Sequence, residues 1–138
     1  MSDCIFCKIV AGEIPCTKVY EDSEFLAFLD IKPVNPGHVL VIPKQHYNDF
    51  VSMPAEQAAK LYTVVHKIAP GIIAAVGARA FNLGLNNGAE AGQIIFHTHV
   101  HIMPRQLKDG LVLWPQREYT EGERDIVAEK IKENLNNL

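Results

Sequence analysis

Phe96-His97-Thr98-His99-Val100-His101-Ile102-Met103-Pro104-Arg105 carries three of the chain's six histidines within five residues. In extended backbone alternate side chains share a face. His97, His99 and His101 are therefore expected to point the same way, roughly 6–7 Å from one to the next. Thr98, Val100 and Ile102 would face the other side, where β-branched residues pack well, and the spacing predicts a strand over 94–103. Three imidazoles this close disfavour one another's protonation, which holds at least one of them neutral near pH 7. A neutral imidazole is a nucleophile or a metal ligand. The run is internal and keeps strict alternation, unlike a purification tag. Two plainer readings stand beside the chemical one. The histidines could cluster by chance on a solvated strand, or the three alone could hold a metal, although alternate positions on one flat strand seldom converge on a small ion.

Upstream of this run, Ala80–Leu85 reads as a strand ending in the turn signal Asn86-Asn87-Gly88. Thr17–Glu21 and Phe25–Asp30 read as a hairpin joined by Asp22-Ser23-Glu24. After a proline-rich turn, His38–Ile42 suits a buried strand stopped by Pro43. From Pro54 the period changes. Leu61, Val64, Val65 and Ile68 fall at i, i+3, i+4 and i+7 on one helical face. Pro70-Gly71 is expected to break or kink that helix, leaving Ile72–Val76 as a second piece. Val127, Ile131 and Leu135 recur every four residues on an amphipathic C-terminal helix. Several strand runs, one long helix and a helix at the end predict an α+β fold on an antiparallel sheet, with residues 1–138 as one unit.

The 138 residues are enough to bury a core, and 48% hydrophobic with 21% charged residues is ordinary globular composition. A net charge of −3 with no basic cluster speaks against a duplex nucleic-acid binder. The opening Met-Ser-Asp-Cys has no basic and apolar leader, and no stretch approaches the roughly 20 apolar residues of a membrane span. Three cysteines, two of them close together as Cys4-Ile-Phe-Cys7, form no disulfide framework. They favour thiols or metal ligands in a reducing compartment, so a cytoplasmic protein is expected.

The histidine run and its following apolar residues resemble the His-x-His-x-His signature of the histidine-triad (HIT) family. The resemblance extends from about residue 4 to 105. Gly37-His38-Val-Leu-Val-Ile-Pro-Lys44 is similar to the family strand that carries a fourth histidine. Phe25-Leu-Ala-Phe-Leu-Asp30-Ile31 is similar to the nucleoside-pocket segment, and Gly92-Gln93 precedes the triad as in relatives. The Cys4/Cys7 opening is most similar to bacterial members of the Hint-like branch. The resemblance implies a sheet of about five antiparallel strands with one long and one C-terminal helix, and a homodimer.

It also implies roles. His99, the middle histidine, would be the nucleophile at an α-phosphorus, with His101 and His38 holding the phosphate oxygens. Asp30 would accept from the ribose hydroxyls, Phe6, Ile9, Phe28 and Ile31 would sandwich a purine, and Asn86 and Gln93 would lie near the sugar and phosphates. On the residues alone, the four apolar ones could be ordinary core, Asn86 a plain turn residue and His38 a satisfied strand histidine. Two positions depart from the family pattern. Ile94 stands where Ser or Thr is common and cannot donate a hydrogen bond. Thr98 stands where the residue is usually more apolar.

Cys4-x-x-Cys7 has zinc-knuckle spacing but lacks a second pair. The resemblance supplies His46 and His97 as the remaining ligands of a closed structural zinc site. Two reduced thiols without metal is the plain alternative. Cys16 is expected to be structural and His66 exposed, and Leu111-Val-Leu-Trp114-Pro115 to serve a partner surface, the substrate mouth or ordinary packing. The activity implied is hydrolysis of a nucleoside 5′-phosphoramidate to AMP and an amine through a nucleotidyl-histidine. Dinucleoside polyphosphate hydrolysis is the alternative within the class, and nucleotidyl transfer a lesser one. A nucleotide-binding signalling module with little turnover and a metal-storage protein are the readings from other classes.

Overall fold

The computed structural model describes residues 3–138. Five strands form one sheet: β1 (Lys18–Glu21), β2 (Phe25–Leu29), β3 (Val39–Pro43), β4 (Ala80–Gly84) and β5 (Val100–Arg105). Their order across the sheet is β1-β2-β3-β5-β4, and every neighbouring pair is antiparallel. Three helices accompany them: α1 (Ile5–Val10), α2 (Ala55–Ala75) and α3 (Glu123–Leu135). The expected α+β class, five-stranded antiparallel sheet, long helix and C-terminal helix are all present. No helix among the described residues is long and apolar enough to cross a membrane.

Alternation along the strands divides the sheet into two faces. Phe25, Ala27, Val39, Val41, Val100 and Ile102 pack on one side against Leu61, Val64, Val65 and Ala69 of α2. Leu26, Phe28, Leu40 and Ile42 turn to the other side, where Phe6 of α1 covers them. Leu61, Val41 and Ile102 are fully buried, and each such side chain contributes about 1.5–3 kcal/mol. The β1–β2 hairpin turns where expected. Asp22 Oδ1 accepts from the amides of Glu24 and Phe25 at 2.8 and 2.7 Å, closing the turn with its own side chain.

Two expectations need correction. The helix runs unbroken from Ala55 to Ala75 with Pro70 inside it. Pro70 deprives only the carbonyl of His66, and both residues are exposed, so water replaces the missing donor on the outer face while the inner face stays packed. The last strand starts at Val100, not near residue 94. The ladder to β3 ends at Val41↔Val100, and upstream of it the Thr98 amide and hydroxyl bond to the Tyr47 carbonyl at 2.8 and 3.1 Å. Residues 94–99 are therefore tied to a loop rather than to a strand. The C-terminal helix forms, but its apolar side is not packed: Ile131 and Leu135 remain more than half exposed.

Candidate active site and metal-ligating cluster

His101 sits opposite Leu40 in the β3–β5 register, on the sheet face that α1 covers. His99 lies one residue before the strand, still on that face, and the two rings are 5.1 Å apart. His38, just ahead of β3, completes the group with its ring 5.1 Å from that of His101. All three are held below the ordinary imidazole pKa by burial, His101 down to about 4 with His99 and His38 adding repulsion. They are neutral at pH 7, so each ring has one donor and one acceptor nitrogen.

The hydrogen bonds assign which is which. The Val34 amide donates to His38 Nδ1 at 3.1 Å, so the His38 proton is on Nε2. That Nε2–H donates to His101 Nδ1 at 2.9 Å, which leaves His101 with an Nε2–H of its own. His99 Nδ1–H donates to the main-chain carbonyl of His97 at 2.7 Å. The lone pair of His99 is consequently on Nε2, for which no hydrogen-bond partner exists among the described residues. One unprotonated nitrogen beside one N–H donor is an arrangement that can supply a nucleophile next to a donor for an anion.

Below these rings opens a cavity of about 700 Å³ lined by Phe6, Ile9, Phe28, Asp30, Ile31, Asn86, Ile94, His99 and His101, among others. Phe6, Phe28 and His99 meet edge to face at 5.5 and 5.2 Å. Asp30 Oδ1 accepts from the Lys32 amide at 2.9 Å, and Oδ2 lies 3.6 Å from His38 Nε2. Of the residues singled out in the sequence for the pocket, all but two reach this cavity. His38 stands behind His101, and Gln93 is buried beside the loop, where its amide bonds Asn48 O, Ile95 O and the Gly88 amide at 2.7, 3.1 and 2.9 Å. Ile31 and Ile94 stand on the rim, 92% and 87% exposed. The sequence reading missed Ile14, Cys16 and Ile95 in the lining. Ile14 and Cys16 precede β1 with no motif, and only the chain's return past β2 brings them in. Trp114, 85% exposed, helps line a second cavity of about 520 Å³ that shares His101 and Asn86 with the first and reaches His38.

His97 points elsewhere. It is fully buried, and its Nδ1 lies 3.3 Å from Cys4 Sγ and 3.6 Å from Cys7 Sγ. His46 Nδ1 lies 3.3 Å from Cys7 Sγ. The four ligand atoms all fall within 4.8 Å of one another, so these residues can hold a metal ion. The second nitrogen of each ring is engaged: His97 Nε2 with the Pro43 carbonyl and His46 Nε2 with Asn48 Oδ1, both at 2.8 Å. Each proton is thereby kept on Nε2 and each Nδ1 left free to ligate, the usual outer support of a metal-binding histidine. Without metal, burial and the neighbouring Cys4 push the Cys7 thiol up to about 11, and burial pushes His97 down to about 4. Asp30, His38 and His101 also lie close enough for a metal, but the His38 nitrogen facing them carries its proton, so that trio does not fit one.

An antiparallel five-stranded sheet with an alternating histidine run over a nucleoside-sized cavity is the architecture of the histidine-triad class. The HIT-domain family model matches residues 11–108, and the chain belongs to that family. Adenylylsulfatase HINT3 of Arabidopsis thaliana is 49% identical over 110 residues, covering 80% of this chain but only 56% of the plant protein. Adenosine 5′-monophosphoramidase hnt1 of Schizosaccharomyces pombe is 40% identical over 134 residues, 96% of this chain and 98% of that one. Among solved structures, a zinc-bound histidine triad protein from Mycobacterium smegmatis superposes with a TM-score of 0.77 at 35% identity, over 98% of each chain.

Proposed function

We propose that this chain hydrolyses nucleoside 5′-phosphoramidates to AMP and an amine, with His99 as nucleophile. The observation that carries the reading is the tautomer of His99, whose Nδ1–H is held by the His97 carbonyl and whose Nε2 faces the cavity side unpaired. In the first step His99 Nε2 forms a bond to the α-phosphorus as the P–N bond breaks, and the leaving amine takes up a proton from solvent, which the attacking water of the second step gives back. Water then attacks the nucleotidyl-histidine, releasing AMP and regenerating His99. His101 Nε2–H donates to the phosphate oxygens, where charge grows in both transition states, and His38 acts by fixing the His101 tautomer. Asp30 accepts from the ribose, Phe6, Ile9, Phe28 and Ile31 hold the purine, Asn86 reaches the phosphate side, and Gln93 shapes the loop that carries Asn86.

The Cys4, Cys7, His46 and His97 set takes one structural zinc. With Zn–S near 2.3 Å and Zn–N near 2.05 Å, tetrahedral geometry puts sulfur and nitrogen about 3.6 Å apart, against the 3.3–3.6 Å found here. Bound there, the ion supplies a cross-link rather than a Lewis acid for substrate. The chain acts as a homodimer in the cytoplasm. β4 leaves one sheet edge open, with Phe81 and Leu83 42% and 46% exposed, and the three free thiols suit a reducing compartment.

The test is AMP release from an adenosine phosphoramidate bearing a fluorescent amine, run beside adenylyl sulfate and diadenosine polyphosphates. Fastest turnover of the phosphoramidate, with loss of at least about 10³-fold in His99→Ala, is the expected result. Preference for a dinucleotide would move the assignment to polyphosphate hydrolysis. AMP binding without turnover of any of the three would support a signalling module instead.

A further inference from the structure

We infer that the Cys4/Cys7/His46/His97 metal site positions the nucleophile and the nucleoside pocket, and is not only a brace for the fold. The inference rests on the reading of His99 as nucleophile and of the cluster as a metal site. One residue belongs to both: His97 offers its ring Nδ1 to the metal cluster and its main-chain carbonyl to His99 Nδ1–H at 2.7 Å. His97 lies outside the β-ladder, which begins at Val100, so no strand pairing holds that carbonyl in place. The peptide that carries it is tied through the Thr98 amide to the carbonyl of Tyr47, next to the ligand His46, at 2.8 Å, and the His97 ring is held by the Pro43 carbonyl on Nε2 and the cluster on Nδ1.

A second path runs through α1. This helix has only six residues, and it is capped by Cys4 and carries Cys7, so two ligands bracket its first turn. Between them stands Phe6, whose ring meets His97 at 5.8 Å, His99 at 5.2 Å and Phe28 at 5.5 Å. Ile9, one turn on, lines the nucleoside cavity. A helix this short does not persist by itself. The metal cross-link therefore joins the pocket's α1 wall to the segment that sets the nucleophile's tautomer. Releasing the metal would free both, although none of the four ligand residues lines the nucleoside cavity.

The test pairs His46→Ala, which leaves three ligands, with His46→Cys, which restores four. His46 is half-buried on a loop, does not itself line the nucleoside cavity and is outside both hydrophobic clusters of the core, so its truncation spares the fold's packing. Zinc content, AMP affinity by calorimetry, the ¹⁵N shifts of His99 and kcat are read on each protein. His46→Ala is expected to lose zinc, weaken AMP binding about tenfold, give His99 nitrogen shifts averaged over both tautomers, and lower kcat about 10–100-fold. His46→Cys is expected to return all four values. A zinc-free His46→Ala that keeps native AMP affinity and native His99 shifts overturns the inference, as does global unfolding on zinc loss, which would make the metal a brace for the whole fold. Wild-type protein purified without zinc would sink the metal reading itself, and zinc-loaded wild type that neither binds nor turns over nucleotide would sink the functional one.

Discussion

His97 and His99 are two residues apart on the α1 side of the sheet, the first buried and the second half-buried, yet they present opposite nitrogens. At His97 the Pro43 carbonyl takes Nε2–H and leaves Nδ1 toward sulfur. At His99 the His97 carbonyl takes Nδ1–H and leaves Nε2 toward the cavity. The same side chain is left able to ligate a metal in one place and to act as a nucleophile in the other, because of which ring nitrogen the nearest main-chain oxygen reaches. The surroundings follow suit. His97 is enclosed by thiols, His46 and Phe6, whereas His99 shares its surroundings with His101, Asp30 and the open cavity.

The sharpest way to break this contrast is to exchange the losses. His99→Ala should abolish turnover, by at least about 10³-fold in kcat, while zinc stays stoichiometric by metal analysis. His97→Cys should do the reverse of what its place in the triad suggests. It keeps four ligands and the main-chain carbonyl, so zinc is retained and kcat falls by less than about tenfold. Equal damage from both variants would mean that the two histidines share one role.

His38→Ala should follow, with a loss of about 10–100-fold in kcat and a smaller change in KM, since it removes the donor that fixes the His101 tautomer. Asp30→Asn should chiefly raise KM, about tenfold, by weakening a charge-assisted acceptor for the ribose. A rise confined to kcat would place Asp30 with the imidazoles instead.

The smallest effect is on the pH profile. Burial lowers His99, His38 and His101, the last to about 4, against partial compensation from Asp30. A lowered imidazole pKa means that the folded state prefers the neutral ring. The contribution is complete above the unfolded value near 6.5 and is lost as pH falls from there toward 4. The kcat/KM profile should therefore stay level down through about pH 6.5 and drop only below it, and thermal stability should decline over the same acid window. An acid limb centred at or above 6.5 would show that the rings are more solvated than their packing implies.

Much of this was legible in the residues. The continuous apolar runs at 25–29 and 39–43 and the 3.6 period of 61–68 are local patterns, and two strands and the long helix form over them. Pro70 misled because propensity weighs the lost hydrogen bond without knowing that it falls on the water side. The histidine run misled in its extent because alternation continues through His97 and His99, while strand pairing stops at Val100 for want of a partner. The grouping of Cys4 and Cys7 with His46 and His97 came from resemblance, since their separations of 39 to 93 residues leave no local signal.

The sequence by itself determined the residue types of both sites and the runs that carry the strands and the long helix, because hydrophobic runs and helical period are properties of the local chain. The turn of His97 away from His99 and His101 was not among them. Only the tertiary structure decided the tautomers and the cavity. Which carbonyl meets which imidazole depends on where Pro43, His97 and Val34 come to rest after folding. The pocket wall supplied by Ile14 and Cys16 likewise exists only once the chain has passed back across β2.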